Sequence, residues 1–507
     1  MYHEKVIKID LQTYLQLDAT SMAILIKKKE VTPRELLELS FQQLEKVNPT
    51  LNAITNFREE AVLQEAVNVN INNGPFAGVP FLLKDTQPQE GEKVTSGSKL
   101  LQTMIAEQDS NLVAKFRDAG LLLMGHTNAP EFALKNITEA EFYGPTRNPW
   151  NPDYSPGGSS GGSAAMIASG VVPMAGASDG GGSIRIPASF SSLFGLKPTR
   201  GRTPVGPGVG RQWHGAAVDF ILSRSVRDSA AMLNELQVIQ PEAAFQVPLY
   251  PDQYTDVLQL PFKKPLKIGF TTQSPVDTPV SEDAKFAVEK IAKWLEKQGH
   301  HVEEAENGVD GKQLMRNYFI MNSGEISTLF YQLEQALGRS LTPDDVEIET
   351  WMLNEAGKSV SAAEFSASLA SWDTAAAQMA QFHETYDFYM TPATAFPAPK
   401  IGELTHSKDK QEQFRNRMAA VSKDKQQELI NEMFLPSLTY TPFTQLANLT
   451  GQPAMSVPVH LSKEGLPLGV QFIASKGEEY RLLQLAYQLE QSELWVGMNG
   501  NPYFKNM

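Results

Sequence analysis

Three glycines, Gly180-Gly181-Gly182, stand immediately before Ser183 in the amino-acid sequence. Glycine has no Cβ to hold its backbone N–H away from a ligand oxygen, so the run offers three close donors beside one hydroxyl. Acyl transfer needs that pairing: donors aimed at the oxygen that becomes negative, and a nucleophile within reach of the same carbon. The surroundings are equally skewed, with 10 Gly and 10 Ser among the 41 residues 155–195. A flexible linker would be polar throughout, whereas apolar stretches interrupt this segment at 164–168 and 171–177.

A serine hydroxyl is a weak nucleophile until a base takes its proton. The eight histidines, at positions 3, 126, 214, 300, 301, 383, 406 and 460, show no motif that ties one of them to the segment. The other base used with serine is a neutral lysine, and Lys84 follows the apolar run 79–83. Burial lowers a lysine pKa, which makes Lys84 the candidate base, while the plainer reading of a strand-end lysine is an exposed one.

The elements that would position these groups alternate. Gly78 bounds the run 79–83, which reads as a buried strand with Lys84 at its carboxyl end. Thr32-Pro33-Arg34-Glu35 combines an N-cap, a proline at the first helical turn and a capping-box Glu, opening a helix expected to stop near Asn48-Pro49. A helix from Ser110 to Gly120 precedes a strand at 121–124, and the order recurs as strand 266–270, helix 281–298 and strand 301–303. Strand 468–474 and helix 478–491 close the pattern, which indicates an α/β protein with one large sheet. Residues 240–265, with several prolines, read as a connection within the fold. Residues 311–436 are mostly helical in pattern, with one strand at 388–390, and form an insertion or a cover over a site.

Composition narrows the class. The 507 residues correspond to about three average domains, but large α/β enzymes exceed that norm. The net charge of −14, without a block rich in Lys and Arg, argues against nucleic acid as a partner. Zero cysteines exclude disulfides, thiolate metal sites and a cysteine nucleophile. Met1-Tyr2-His3-Glu4-Lys5 leads into mixed polar sequence, and no run of about 18 apolar residues occurs. A soluble cytoplasmic protein with no membrane partner is expected.

The runs Pro156-Gly157-Gly158-Ser159-Ser160-Gly161-Gly162-Ser163, Ser178-Asp179-Gly180-Gly181-Gly182-Ser183-Ile184-Arg185 and Gly195-Leu196-Lys197-Pro198-Thr199 resemble the amidase signature family. The likeness extends to Gly78-Val79-Pro80, Lys84-Asp85, Thr127-Asn128, Arg147-Asn148-Pro149-Trp150-Asn151, Gly451-Gln452-Pro453 and Pro467-Leu468-Gly469-Val470-Gln471. Gly338-Arg339, Leu341-Thr342 and Asp344-Asp345-Val346 look most like the 6-aminohexanoate cyclic dimer hydrolase branch. The resemblance implies one amidase-signature domain over 1–507, a large mixed twisted β-sheet flanked by helices on both faces. Within it, 1–70 is an N-terminal helical part and 71–240 the signature core.

Carried over residue by residue, the resemblance implies Ser183 as nucleophile, Ser159 as the bridging cis-serine and Lys84 as base. Backbone N–H groups of Gly180, Gly181, Gly182 and Ser183 would bind the oxyanion, and Ser160, Asp179 and Arg185 would brace the loop. It further implies hydrolysis of a small-molecule amide, linear or cyclic, through an acyl-enzyme without metal or organic cofactor. A homodimer is left open, and the rival is the partner-dependent amidase-like subunit of a tRNA-dependent amidotransferase. Two positions depart from the family pattern: Gly180 where Thr or Ile is common, and His126 where Lys is usual.

Three other patterns read as chance. Gly158-Ser159-Ser160-Gly161-Gly162 fits a nucleophile elbow but lacks a preceding strand. Ser96-Gly97-Ser98-Lys99 fits S-x-x-K without a later K-T-G. Asp344-Asp345, Glu347 and Glu349 are expected to cap a helix starting at Thr342-Pro343 rather than to hold a metal.

Overall fold

A computed structural model describes residues 9–504 of the chain. Met1-Tyr2-His3-Glu4-Lys5, read above as leading into mixed polar sequence, lies outside the described residues. Its strands in chain order are β1 (Ile54–Phe57), β2 (Pro80–Lys84), β3 (Leu122–Thr127), β4 (Glu139–Ala140), β5 (Gly144–Pro145), β6 (Met174–Asp179) and β7 (Phe194–Lys197). They continue as β8 (Val218–Ser223), β9 (Lys267–Phe270), β10 (His301–Glu304), β11 (Phe388–Pro392), β12 (Ala454–Leu461) and β13 (Pro467–Ile473).

Eleven of these form one mixed sheet in the order β1-β3-β2-β6-β8-β7-β12-β13-β11-β9-β10, while β4 pairs with β5 alone. Its parallel pairs are β3 with β2, β2 with β6, and β11 with β9 with β10. Strands covered on both faces read as unbroken apolar runs, and β2 is buried at every residue, Lys84 included. Helices such as Pro33–Leu51 and Glu282–Lys297 lay apolar stripes against the sheet in one large buried cluster. Among the helices of residues 315–438 a second apolar cluster forms, built on Met315, Phe319, Ile326, Phe330, Met352 and Phe414. Among the described residues, no helix is long and apolar enough to cross a membrane.

Two expectations about elements are corrected. The helix opened by the Thr32 capping box runs through Pro49 to Leu51. Pro49 sits in the last turn, where it removes one internal bond, and the end is held instead by Asn52 N–H to Asn48 O and Ala53 N–H to Asn48 Oδ1, both 2.8 Å. Thr342-Pro343 does not start a helix. Asp345 folds back to accept from Thr342 N–H and Oγ1 at 2.8 Å and pairs with Arg339 at 2.7 Å, so these residues form a turn. The next helix begins at Ile348 with Glu347 at its N-cap and Glu349 in its first turn, as expected of these two acids, and both are also buried against Lys135, at 2.6 and 3.8 Å. Among the described residues, no acidic or histidine group is arranged to hold a metal ion.

Candidate active site

Because β2 and β6 are parallel neighbours, paired at Leu82 and Ala175, their carboxyl ends open onto the same edge of the sheet. Lys84 closes β2, and Ser178 and Asp179 close β6. The Gly-Ser segment supplies the rest through two short turns. The first leads from Gly158, across a cis peptide bond to Ser159, into the helix Gly161–Ala168. Ile137 backbone lies where a Gly158 Cβ would be, so only glycine fits this approach. The second runs from Asp179 over Gly180, Gly181 and Gly182 to Ser183 and the helix Arg185–Ser191.

Lys84 Nζ stands 2.6 Å from Ser159 Oγ and 2.7 Å from Ser178 Oγ. Its side chain has no solvent exposure, and burial pulls its pKa down to about 7 against the opposing charges of Asp219 and Asp179. Ser159, Ser178, Gly180, Gly181 and Ser183 line one cavity of about 350 Å³. Three of the residues singled out from the sequence are therefore assembled around one space, two seryl hydroxyls and a fully buried amine that reaches one of them.

Asp179 and Arg185 are the loop's anchor. Both are wholly buried, and the guanidinium donates from Nε to Asp179 Oδ2 at 3.0 Å and from Nη2 to Oδ1 at 2.9 Å. Burial pushes the Asp179 carboxyl up, but the Arg185 charge and hydrogen bonds prevail and hold it at about 2. Arg185 continues to Thr444 O, Gln471 Oε1 and Asn448 Oδ1 at 2.6–2.7 Å, which fixes the loop to the far side of the sheet. Ser160 has a related part: Ser178 N–H donates to its Oγ at 3.3 Å, which steadies the residue beside Lys84.

One expected oxyanion donor is corrected. The Gly182 N–H donates to Asp179 Oδ1 at 2.7 Å, and Gly182 is not on the cavity wall. Its φ of +131° turns it toward Thr444, whose hydroxyl occupies the place of a Cβ. The carboxylate that anchors the loop has thus taken this N–H, leaving Gly180, Gly181 and Ser183 facing the cavity. Gly180 is not loose, since Tyr318 OH donates to its carbonyl at 2.9 Å, and Thr444 Oγ1 donates to Gly181 O at 2.6 Å.

The chance patterns find structural explanations. Ser160 Oγ is engaged with the backbone of Ser178, and no strand precedes it. Lys99 is exposed, and Ser98 Oγ donates to buried Glu131 at 2.6 Å. His126 is buried with Nε2 3.1 Å from Gln87 O, and burial lowers its pKa to about 4, so it is an uncharged core residue.

Several wall residues were not legible in advance. Phe132, Trp213, Phe319, Leu353, Phe434 and Leu438 give the cavity an apolar side, three of them from the helical region 311–436. Asp219 also lines the cavity and accepts from Gln212 Nε2 at 2.5 Å. A lone carboxylate in the apolar run of β8 was the available signal for Asp219. Ser178 carried no signal beyond its place in the motif.

Comparison with known proteins bears on the family and the fold. The family model described as Amidase matches residues 35–483. A lipoamidase of Enterococcus faecalis is 39% identical over 480 residues, covering 94% of this chain and 64% of that protein, so the chain spans less than two thirds of that relative's length. A 6-aminohexanoate-cyclic-dimer hydrolase of Paenarthrobacter ureafaciens is 35% identical over 489 residues, 94% of this chain and 95% of the other. A solved structure of 6-aminohexanoate cyclic dimer hydrolase superposes with a TM-score of 0.85 at 34% identity, covering 96% of this chain and 98% of that one.

Proposed function

The chain belongs to the amidase signature family of carbon–nitrogen hydrolases, and on that premise we propose that Ser183, Ser159 and Lys84 cleave an amide through a seryl acyl-enzyme. Neutral Lys84 takes the proton relayed through Ser159 as Ser183 Oγ attacks the carbonyl carbon. Backbone N–H groups of Gly180, Gly181 and Ser183 receive the oxyanion. On collapse the C–N bond breaks, the relay returns its proton to the leaving nitrogen, and water then hydrolyses the ester to carboxylate. The observation that carries this reading is the fully buried Lys84 amine 2.6 Å from Ser159 Oγ, held near neutrality by burial.

The apolar side of the cavity supports an aliphatic acyl group, in a linear or a cyclic amide. The printed activities of the relatives, lipoamidase and cyclic-dimer hydrolase, point the same way. We place the chemistry in residues 71–240 and part of the acyl wall in the helical cover 311–436. A cytoplasmic site of action, supported by a sequence without a long apolar run, is testable by cell fractionation.

Reaction of the purified protein with a fluorophosphonate, followed by peptide mapping and with Ser183→Ala as control, tests the nucleophile. Label on Ser183, absent from the variant, is expected, followed by turnover in an amide panel. Label on Ser160 would overturn the assignment. No label, with activity only after partner subunits are added, would favour the amidotransferase-like alternative.

A further inference from the structure

Thr86, Gln212 and Asp219 line the catalytic cavity and also line a second cleft, of about 660 Å³. The two spaces are therefore neighbours that meet at these three residues. The second cleft has an unusual mouth. Met104, Ile105 and Val209 all lie on it and are 49%, 48% and 55% exposed, three large apolar side chains left in water at one place. Its inner walls, including Leu112 and Val205, are also apolar.

The charges on this cleft have one sign. Glu107, Asp109 and Asp219 line it, and no Lys or Arg does. Glu107 is exposed to solvent, and Asp109 is spent on Arg117 at 2.7 Å. Asp219 is the part-buried acid at the junction, with Gln212 as its hydrogen-bond donor. A carboxylate accepts about four hydrogen bonds, so Asp219 keeps capacity for another donor. An apolar channel with a carboxylate at its inner end complements an alkyl chain with an ammonium head.

We propose that the second cleft is the leaving-amine subsite and takes a primary alkylamine, its nitrogen on Asp219 and its methylene chain running out past Ile105 and Val209. This rests on the hydrolytic reading of Ser183. The amine departs when the C–N bond breaks and the relayed proton adds to nitrogen. With a pKa near that of a lysine, about 10, it then gains a second proton from water and is an ammonium at neutral pH. The acyl half stays behind in the aromatic cavity, so the two products separate in opposite directions.

Binding of n-hexylamine to the full chain, measured by calorimetry or ligand-observed NMR at 0.15 M salt with 1-hexanol as neutral match, tests this. Hexylamine is expected to bind at least tenfold more tightly than hexanol. Asp219→Asn should remove that difference, and Val209→Trp, at the exposed mouth, should weaken both ligands severalfold. Equal affinities for the two ligands, no saturable binding, or hexylamine affinity unchanged in both variants would overturn the proposal. Fluorophosphonate labelling of the same samples separates the two readings: amine selectivity without Ser183 labelling sinks the hydrolase assignment, and labelling without amine selectivity sinks the subsite.

Discussion

Lys84 and Ser159 meet at 2.6 Å in a space closed to solvent, although 75 residues of chain separate them. Water cannot stabilise the ammonium form there, so burial alone delivers a lysine that is half neutral near pH 7.

Activity should track the deprotonation of Lys84. The base works only when neutral, and its neutral fraction rises as pH climbs through about 7. The kcat/KM profile should therefore rise about tenfold per pH unit below 7 and level off above it. A rate that falls between pH 6 and pH 8 would exclude a lysine base.

Ser178 shares the amine with Ser159 and was given no role by the family pattern. Removing its hydroxyl takes one hydrogen bond from Lys84, at 2.7 Å, while leaving Ser159 and Ser183 in place. Ser178→Ala should lower kcat about tenfold, the worth of one such bond, with Ser183 still labelled by fluorophosphonate. Wild-type turnover in the variant would show Ser178 to be a bystander.

Asp179→Asn should be costly to the fold itself. The change strands the Arg185 charge at a site with no solvent exposure and weakens the acceptor of the Gly182 N–H. Loss of one partner from a buried pair costs about 3–5 kcal/mol, readable as a lowered urea midpoint at unchanged slope. Activity at low denaturant should fall as well, since the same carboxylate shapes the donor loop.

Lys135 joins the sheet side of the site to the helical cover through Glu347, and Glu131 closes the junction by accepting from Glu347 N–H and Thr350 Oγ1. Lys135→Ala leaves Glu347 and Glu349 buried beside Glu131 without a cation. A loss of about 3–5 kcal/mol is expected, with KM rising more than kcat falls, because the cavity wall rather than the nucleophile is disturbed. Unchanged KM would mean that the cover is held elsewhere.

Chelation should have no effect, since every proposed step uses serine, lysine and backbone groups. Turnover abolished by EDTA and restored by a divalent ion would require another mechanism.

Much of the chemistry was written locally. The glycine run before Ser183 and the apolar stretch ending at Lys84 offer a donor loop and a candidate base from a few adjacent residues, whereas the part expected of Ser159 came from the resemblance to the amidase signature family. What stayed hidden depends on distant partners. Gly182 reads like its neighbours until Asp179 turns back and captures its N–H. The acids near Thr342 carry the signature of a helix start, but Arg339 ahead of them and Lys135 some 200 residues earlier decide their use. Phe319 and Phe434 become wall residues only when their helices stack, with ring centroids 5.2 Å apart.

The second apolar cluster has an implication for how such a protein changes over time. The buried members of this cluster all come from residues 315–438, with Leu100, Phe132, Leu134 and Trp213 packed against them, and the proposed hydrolytic groups all come from 84–183. Substitutions that reshape the acyl wall can be absorbed within the cover without disturbing Lys84, Ser159 or Ser183. Such a division lets one reaction be retargeted to new amides by drift in one half of the chain, while selection holds the other half still.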